Sequence, residues 1–182
     1  YVGWDSPIDL EARSRTCSTY LVDRVLPMLP EKLCNDACSL RPAEDRLAMS
    51  VKMKLSSSGK ILGATAMNSV ICSRARLSYD QVDSYLQGDA TSLEAVVSAN
   101  DITAIKEMLE VLNQIRALRE EIRKKRGSVD FESVETRVVL DENNKPVGVS
   151  VRERTQATGL IEEAMLAANE SVAHMLSQHD LE

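Results

Sequence analysis

Aromatic residues and histidines are the scarcest side chains in this sequence of 182 residues. Aromatic residues make up only 3% of it, and they are Tyr1, Trp4, Tyr20, Tyr79, Tyr85 and Phe131. A core of this size must therefore be built mainly from aliphatic side chains and methionine. The two histidines, His174 and His179, both lie near the C-terminal end. Their position argues against a Ser-His-Asp or Cys-His catalytic arrangement.

Long apolar runs and glycine-rich loops are also absent. No apolar stretch reaches the roughly 18 to 20 residues that a membrane-spanning helix needs. None of the 7 glycines belongs to a phosphate-binding loop of the Walker or dinucleotide type. Hydrophobic residues make up 43% and charged residues 27%, which is typical of a soluble globular domain. The first residues form no signal peptide, so we expect one domain without a membrane partner.

The chain has no excess of positive charge. It carries 22 basic and 28 acidic residues, which gives a net charge of −6. This balance argues against general electrostatic coating by nucleic acid, so any RNA contact must be local. Among Cys17, Cys34, Cys38 and Cys72, one C-x3-C pair occurs, and no second thiol pair or nearby histidine completes a zinc site. We therefore expect no metal site, buried reduced thiols and a cytoplasmic location.

The apolar pattern predicts the first half of the fold. Ser6 and Pro7 are typical of a helix start, and this helix is expected to end near Cys17. Apolar residues alternate at positions 47, 49, 51, 53 and 55, which predicts a strand with that face buried. Residues 61–72 supply a partner strand across a turn. Ser78 and Gln81 form a capping box that opens a helix at 79–86.

The second half is predicted to contain two long helices around a hairpin. Residues 101–126 carry apolar side chains three and four apart, and Gly127 ends the helix. This stripe either packs on the sheet or forms a self-associating coiled coil. The predicted second hairpin pairs Val134, Val138 and Leu140 with Val147, Val149 and Val151. The last helix should span 155–178 and bury Leu160, Ile161, Ala164, Met165, Ala168, Val172 and Leu176.

These elements predict an α+β fold. Its hairpins form a mixed or antiparallel sheet, and the long amphipathic helix and the C-terminal helix pack on that sheet.

Several charged and aromatic positions allow two interpretations. The basic cluster at residues 123–126 is either a solvated helix end or a phosphate contact. Adjacent helical side chains point about 100° apart, so we expect one of Glu162 and Glu163 to be functional or buried and the other solvated. Tyr20 and Phe131 stand at element junctions, where an aromatic ring can pack in the core or stack on a base.

Six sequence blocks resemble one known family. Residues 20–33 read YLVDRVLPMLPEKL and are followed by CSL at 38–40 and DR at 45–46. Later blocks are RLSY at 76–79, RGSVDF at 126–131 and LIEEAMLAAN at 160–169. In order and spacing these blocks closely resemble the central part of the RNB catalytic domain of the ribonuclease II and ribonuclease R family, across nearly the whole chain.

The resemblance implies a function and a set of site residues. Members of this family are processive hydrolases that degrade single-stranded RNA from its 3′ end to nucleoside monophosphates, with a divalent metal that is usually Mg²⁺. By this resemblance Tyr20 and Phe131 are an aromatic pair that clamps the terminal bases, Tyr79 lines the RNA channel, and Glu162 lines the catalytic cavity as a catalytic residue. Packing beside a helix cap for Tyr79 and a buried structural carboxylate for Glu162 stay open.

The sequence departs from the family in its metal ligands. The family holds metal with aspartates in a D-x5-D-x-D-D pattern, expected before Tyr1, and contacts phosphates through an arginine-rich segment, expected after the last residue. Neither pattern occurs in residues 1–182. We therefore interpret 1–182 as a partial RNB-like domain that contacts single-stranded RNA, binds no Mg²⁺ in this fragment, is inactive alone and self-associates through exposed apolar surface.

Two other functions remain open. The first is a catalytically dead RNB-like protein that serves as an RNA-binding or scaffold protein. The second is an unrelated helical interaction module that uses the apolar stripe from Ile105 to Ile122.

Overall fold

The computed structural model describes residues 1–129, 135–152 and 154–178. Its helices are α1 (Pro7–Arg15), α2 (Tyr79–Leu86), α3 (Thr91–Glu94), α4 (Ile102–Lys125) and α5 (Gln156–Gln178), with a short π-helical turn at Leu33–Ala37. Its strands are β1 (Thr19–Tyr20), β2 (Val25–Leu26), β3 (Asp45–Leu55), β4 (Ile61–Cys72), β5 (Glu135–Leu140) and β6 (Pro146–Arg152).

The predicted α+β class is confirmed. β1 pairs with β2, β3 with β4 and β5 with β6, and each of these pairs is antiparallel. Over the described ranges the hairpins stay separate as two-stranded ladders and do not merge into one sheet. The β3–β4 hairpin is the longest, and its pairing runs from Asp45 opposite Cys72 to the turn beyond Leu55.

The start of α2 and the end of α4 lie where the capping residues in the sequence predict them. Ser78 Oγ accepts a hydrogen bond from Gln81 N at 3.3 Å, and Gln81 Oε1 accepts one from Ser78 N at 2.8 Å. This reciprocal capping box fixes the start of α2. The long helix α4 ends just before Gly127, whose φ of 86° turns the backbone out of the helix.

The core lies among the helices. Leu93 of α3 is fully buried and packs with apolar side chains of α2, α4 and α5. Polar contacts fix α2 in this cluster: Asp83 Oδ1 accepts from Ala157 N at 2.8 Å, and Tyr85 Oη donates to Glu110 Oε1 at 2.8 Å. Burial, together with the Glu110 carboxylate, raises the pKa of Tyr85 to about 12. The same α2 that begins at Tyr79 is therefore fixed to the N-terminus of α5.

The prediction of which β3 side chains are buried is right for only one half of the strand. Val51, Met53 and Leu55 are half-buried as predicted, but Leu47 is 60% and Met49 73% exposed. The helices explain this difference, because α4 contacts the hairpin at its turn, where an added Cβ on Gly59 would meet Leu118. The half of the hairpin farther from the turn leaves its apolar face in solvent.

The predicted stripe of α5 is only partly right, since Ala164, Ala168 and Val172 are half-buried as expected. Leu160 is buried, but Ile161, Met165 and Leu176 are exposed. The face that α5 buries is formed by small and polar residues: Ala157, Gly159, Leu160, Glu163, Ala167 and Ser171. Close packing against α4 is the reason, since a Cβ on Gly159 would lie 3.0 Å from Arg116 Cδ. Small residues leave room for arginine stems between the two helices.

The expectation of buried thiols is also wrong. All four cysteines are free, and Cys17, Cys38 and Cys72 are exposed while Cys34 is half-buried. They lie after a helix end, in or beside the π-helical turn and at the end of β4. None of these positions faces the helical core.

The second hairpin forms as predicted, with Val138 of β5 opposite Val149 of β6. Its turn is closed by Asp141 Oδ1, which accepts from Asn143 N and Lys145 N, both at 2.8 Å. Val147, Val149 and Val151 are exposed. Val134 lies outside the described residues.

The contact between Gly59 and α4 leads to a stability prediction. Gly59 has a φ of +78°, and its added Cβ would lie 2.8 Å from Leu118 Cβ. Gly127 has a similar φ of +86° but open space around it. We expect Gly59→Ala to lower the free energy of unfolding by at least about 1 kcal/mol more than Gly127→Ala, because only the first variant also overpacks the core. Urea denaturation of both variants measures the difference, and equal losses would contradict the close approach.

Candidate nucleic-acid interface

A network of ion pairs joins the facing surfaces of α4 and α5. Arginines recur along α4 at positions three and four apart, so they share one face of the helix. That face meets acidic residues of α5, and Arg154 joins from the segment before α5. We call this set the arginine–glutamate network: Arg116, Arg119, Arg123, Arg126, Arg154, Glu120, Glu162, Glu163 and Glu170.

The two adjacent glutamates of α5 occupy different environments. The Glu163 side chain is 2% exposed, and its Oε1 lies 3.0 Å from Arg123 Nε. The Glu162 side chain is 39% exposed, with Oε2 at 2.9 Å from Arg154 Nη2 and Oε1 at 3.5 Å from Arg123 Nη2. The buried carboxylate is therefore Glu163, and the solvent-accessible one is Glu162. A catalytic role for Glu162 stays a prediction.

Tyr20 lies in the short β1–β2 hairpin, opposite Val25. Its side chain is 79% exposed, so the ring does not belong to the core. The hairpin turn is closed by a hydrogen bond from Leu21 N to Arg24 O at 2.9 Å. Arg24 also binds Asp23 at 2.7 Å, which lowers the pKa of that carboxyl group. The ring face is thus available for stacking.

Tyr79 is the first residue of α2, directly after its cap, and is partly exposed. It lies one turn before Asp83, the side chain that binds the N-terminus of α5. Tyr79 and Glu162 therefore sit on two helices that pack together, whereas Tyr20 sits on a separate hairpin. Phe131 lies outside the described residues, so its predicted pairing with Tyr20 stays a prediction.

Carboxylates offset much of the basic cluster at the end of α4. Arg123 binds Glu162 and Glu163, and Arg126 Nη1 lies 3.1 Å from Glu170 Oε1. Lys125 Nζ lies 2.7 Å from Glu121 Oε1, which lowers the pKa of Glu121. Arg123 and Lys125 are therefore paired with carboxylates, which favours the interpretation as a helix end for these two residues. Arg126 shares its partner Glu170 with Arg119.

The described residues do not fit a magnesium site. Within 1–129, 135–152 and 154–178, no group of three or more His, Cys, Asp or Glu side chains lies close enough to hold a metal ion. The carboxylates of the network each face at least one arginine instead. Guanidinium groups in those positions repel a divalent cation.

Sequence reasoning missed the arginine–glutamate network. Its signal is present in the spacing, since arginines at 116, 119, 123 and 126 share a face of α4, and Glu163 and Glu170 lie seven residues apart on α5. The pairing could not be read from one sequence, because it depends on how α5 is rotated against α4.

The family model described as RNB domain matches residues 1–182. The chain belongs to the RNB domain family. This RNB chain is 36% identical over 178 residues to ribonuclease R of Escherichia coli and 39% identical over 182 residues to ribonuclease R of Thermotoga maritima. These matches cover 98% and 100% of the chain but only 21% and 25% of the relatives. The chain thus spans about a quarter or less of those proteins.

Solved structures agree with the family. The RNB chain matches Mycoplasma genitalium RNase R in complex with ribose methylated single-stranded RNA, with a TM-score of 0.87 and 32% identity over 99% of the chain and 27% of that structure. The same protein in complex with double-stranded RNA gives a TM-score of 0.88 and covers 100% of the chain and 31% of that structure. Yeast Ssd1, a pseudonuclease, shares the fold at a TM-score of 0.67 and 20% identity.

A helix that spans a membrane must be both long and apolar. Among the described residues, no helix combines both properties.

Proposed function

We propose that this chain is the central part of the RNB domain of a 3′→5′ exoribonuclease that hydrolyses single-stranded RNA to nucleoside monophosphates. The similarity to ribonucleases R, at 36% identity over 98% of the chain for the Escherichia coli protein, carries this proposal. The relationship to an RNA-bound structure at 32% identity supports RNA as the ligand.

The site residues have distinct roles in this proposal. Tyr20 and Phe131 stack on the terminal bases, and the high exposure of Tyr20 supports its part. Tyr79 contacts RNA near the start of α2. Glu162 faces the catalytic cavity and holds Arg154 at 2.9 Å. A guanidinium group held this way keeps donors free for a phosphate oxygen.

We propose that Mg²⁺ acts in the longer protein and is held by aspartates outside residues 1–182. A divalent ion in such enzymes activates water and stabilises the leaving oxygen. The chain by itself is then inactive. We also propose a cytoplasmic location, which the four free cysteines support, and self-association through exposed apolar side chains such as Leu47 and Met49.

A nuclease assay tests the proposal. We expect single-stranded RNA with a 3′-hydroxyl group and a 5′ label to remain intact with this chain, in Mg²⁺ and in chelator alike. A longer chain from the same reading frame should give a ladder that shortens from the 3′ end in Mg²⁺ only. The product ladder on a denaturing gel measures both.

Two outcomes would contradict it. A metal-dependent ladder from this chain alone would mean that its own carboxylates hold metal. Intact RNA with the longer chain, despite RNA binding, would favour the catalytically dead RNA-binding or scaffold protein.

A further inference from the structure

A cleft lies between the start of β4 and the C-terminal parts of α4 and α5. Its volume is about 610 Å³, within the range of small-molecule sites. Its lining includes Lys60, Leu62, Arg119, Arg126, His174 and Met175. Its His174 end lies away from Glu162, because His174 follows Glu162 by three turns of α5, about 18 Å along the axis. Its other end includes Arg119, Arg126 and Glu170 of the arginine–glutamate network.

The cleft is positively charged in a chain whose net charge is −6. Glu170 accepts from two arginines, at 2.5 Å from Arg119 Nη2 and 3.1 Å from Arg126 Nη1. One carboxylate therefore faces two guanidinium groups and neutralises only one of their two positive charges. Lys60 adds a further cation and forms no ion pair within the described part of the chain. The lining thus carries an excess of positive charge that an anion would balance.

Arg119 lies in the lining of the same cleft. It is 5% exposed, and its Nε has no hydrogen-bond acceptor among the residues that the structure describes. A buried N–H group without an acceptor is unfavourable. The Nε atom itself is buried, so the rest of the Arg119 side chain lines the cleft and adds its positive charge there.

Apolar groups beside the cations further restrict the chemical class of ligand that the cleft can bind. Leu62 is exposed and Met175 is half-buried in the lining. Gln178 Nε2 lies 3.0 Å from His174 Nε2. This contact holds the exposed His174 side chain beside Gln178, and its ring offers a face for stacking. Cations suit a phosphate, and apolar and imidazole surfaces suit a base.

We propose that this cleft binds one nucleotide unit of single-stranded RNA, with the phosphate at Lys60 and Arg126 and the base against Leu62, His174 and Met175. The choice of RNA rests on the proposed function, whereas the affinity for a phosphate group does not. The cleft is then a second contact on the RNA strand, in addition to the one at Glu162.

Charge reversal at Lys60 tests the proposal in this chain. Lys60→Glu should weaken binding of 5′-fluorescein single-stranded RNA at least about fivefold and reduce the slope of log affinity against log salt by about 1. Lys145→Glu is the matched control, because Lys145 also directly precedes the second strand of a hairpin and is exposed. Fluorescence anisotropy at several salt concentrations measures both variants.

Adding AMP should shift the His174 ring signals in NMR spectra of the wild type, and His174→Gln assigns those signals.

The outcomes separate this proposal from the nuclease proposal. A selective loss for Lys60→Glu, together with the AMP-induced shift of His174, supports the cleft. Equal affinities of the two variants for RNA that the wild type binds would overturn the cleft and leave the nuclease proposal intact. No RNA binding by the wild type, with His174 still shifted by AMP, would overturn RNA as the ligand here and count against RNA binding by the whole chain.

Discussion

Replacing Glu163 with alanine is expected to lower the free energy of unfolding by about 3 kcal/mol, within the range measured when one partner of a buried ion pair is removed. Glu163 is 2% exposed and accepts from Arg123 Nε at 3.0 Å. Without it, Arg123 keeps its charge between α4 and α5, and a small void remains on the face that α5 buries. Urea denaturation followed by far-UV circular dichroism measures the loss.

The neighbouring residue provides the control. Glu162→Ala removes a carboxylate whose side chain is 39% exposed, so the expected loss is below about 1 kcal/mol. In a longer chain with the proposed nuclease activity, Glu162→Ala should lower the activity more than Glu163→Ala, because Glu162 is the residue proposed to face the catalytic cavity. Equal losses of stability in the two variants would contradict the assignment of Glu163 as the buried carboxylate.

Tyr20→Ala is expected to weaken the binding of single-stranded RNA by about 10-fold, since stacking on an aromatic ring contributes roughly 1 to 3 kcal/mol per base. Stability should change little, because the side chain is 79% exposed and outside the core. The measurement is the anisotropy of labelled RNA at a fixed salt concentration. A fixed concentration keeps the phosphate contribution constant.

Two further variants test whether the Tyr20 ring itself carries the effect. Tyr20→Phe keeps the π-face and should retain most of the affinity. Tyr1→Ala removes another exposed tyrosine that the family resemblance does not place at the site. An unchanged affinity for Tyr20→Ala, or the same loss for Tyr1→Ala, would remove the clamp assignment.

Local signals in the sequence predict the elements of this fold well. The capping box at Ser78 and Gln81, the stop at Gly127 and the alternation in β3 are each encoded within a few residues, and the structure confirms the helices and hairpins that they predict. The six family blocks identify the RNB domain from the sequence, and the match over residues 1–182 confirms it.

The direction in which an element faces depends on its neighbours. On α5 the apolar pattern favours Ile161 and Met165 as buried, yet both are exposed and Glu163 is buried. The cause is on α4, where arginines face α5 and require small residues and a carboxylate opposite them. Likewise Leu47 and Met49 satisfy the strand pattern, but they are exposed, in the half of the hairpin farther from Gly59 and α4. A single sequence does not contain these pairings.

The position of the β1–β2 hairpin outside the helical core has a consequence for local unfolding. The β1–β2 hairpin pairs two residues per strand, and all four side chains are exposed. Its opening therefore releases little buried apolar surface, so it can open at a small fraction of the free energy that separates α4 from α5. In the proposed function, the ring of Tyr20 can thus adjust to successive bases of different size while the ion-paired helices around Glu162 stay packed. RNA binding by Tyr20 and the proposed role of Glu162 then belong to different cooperative units of one domain.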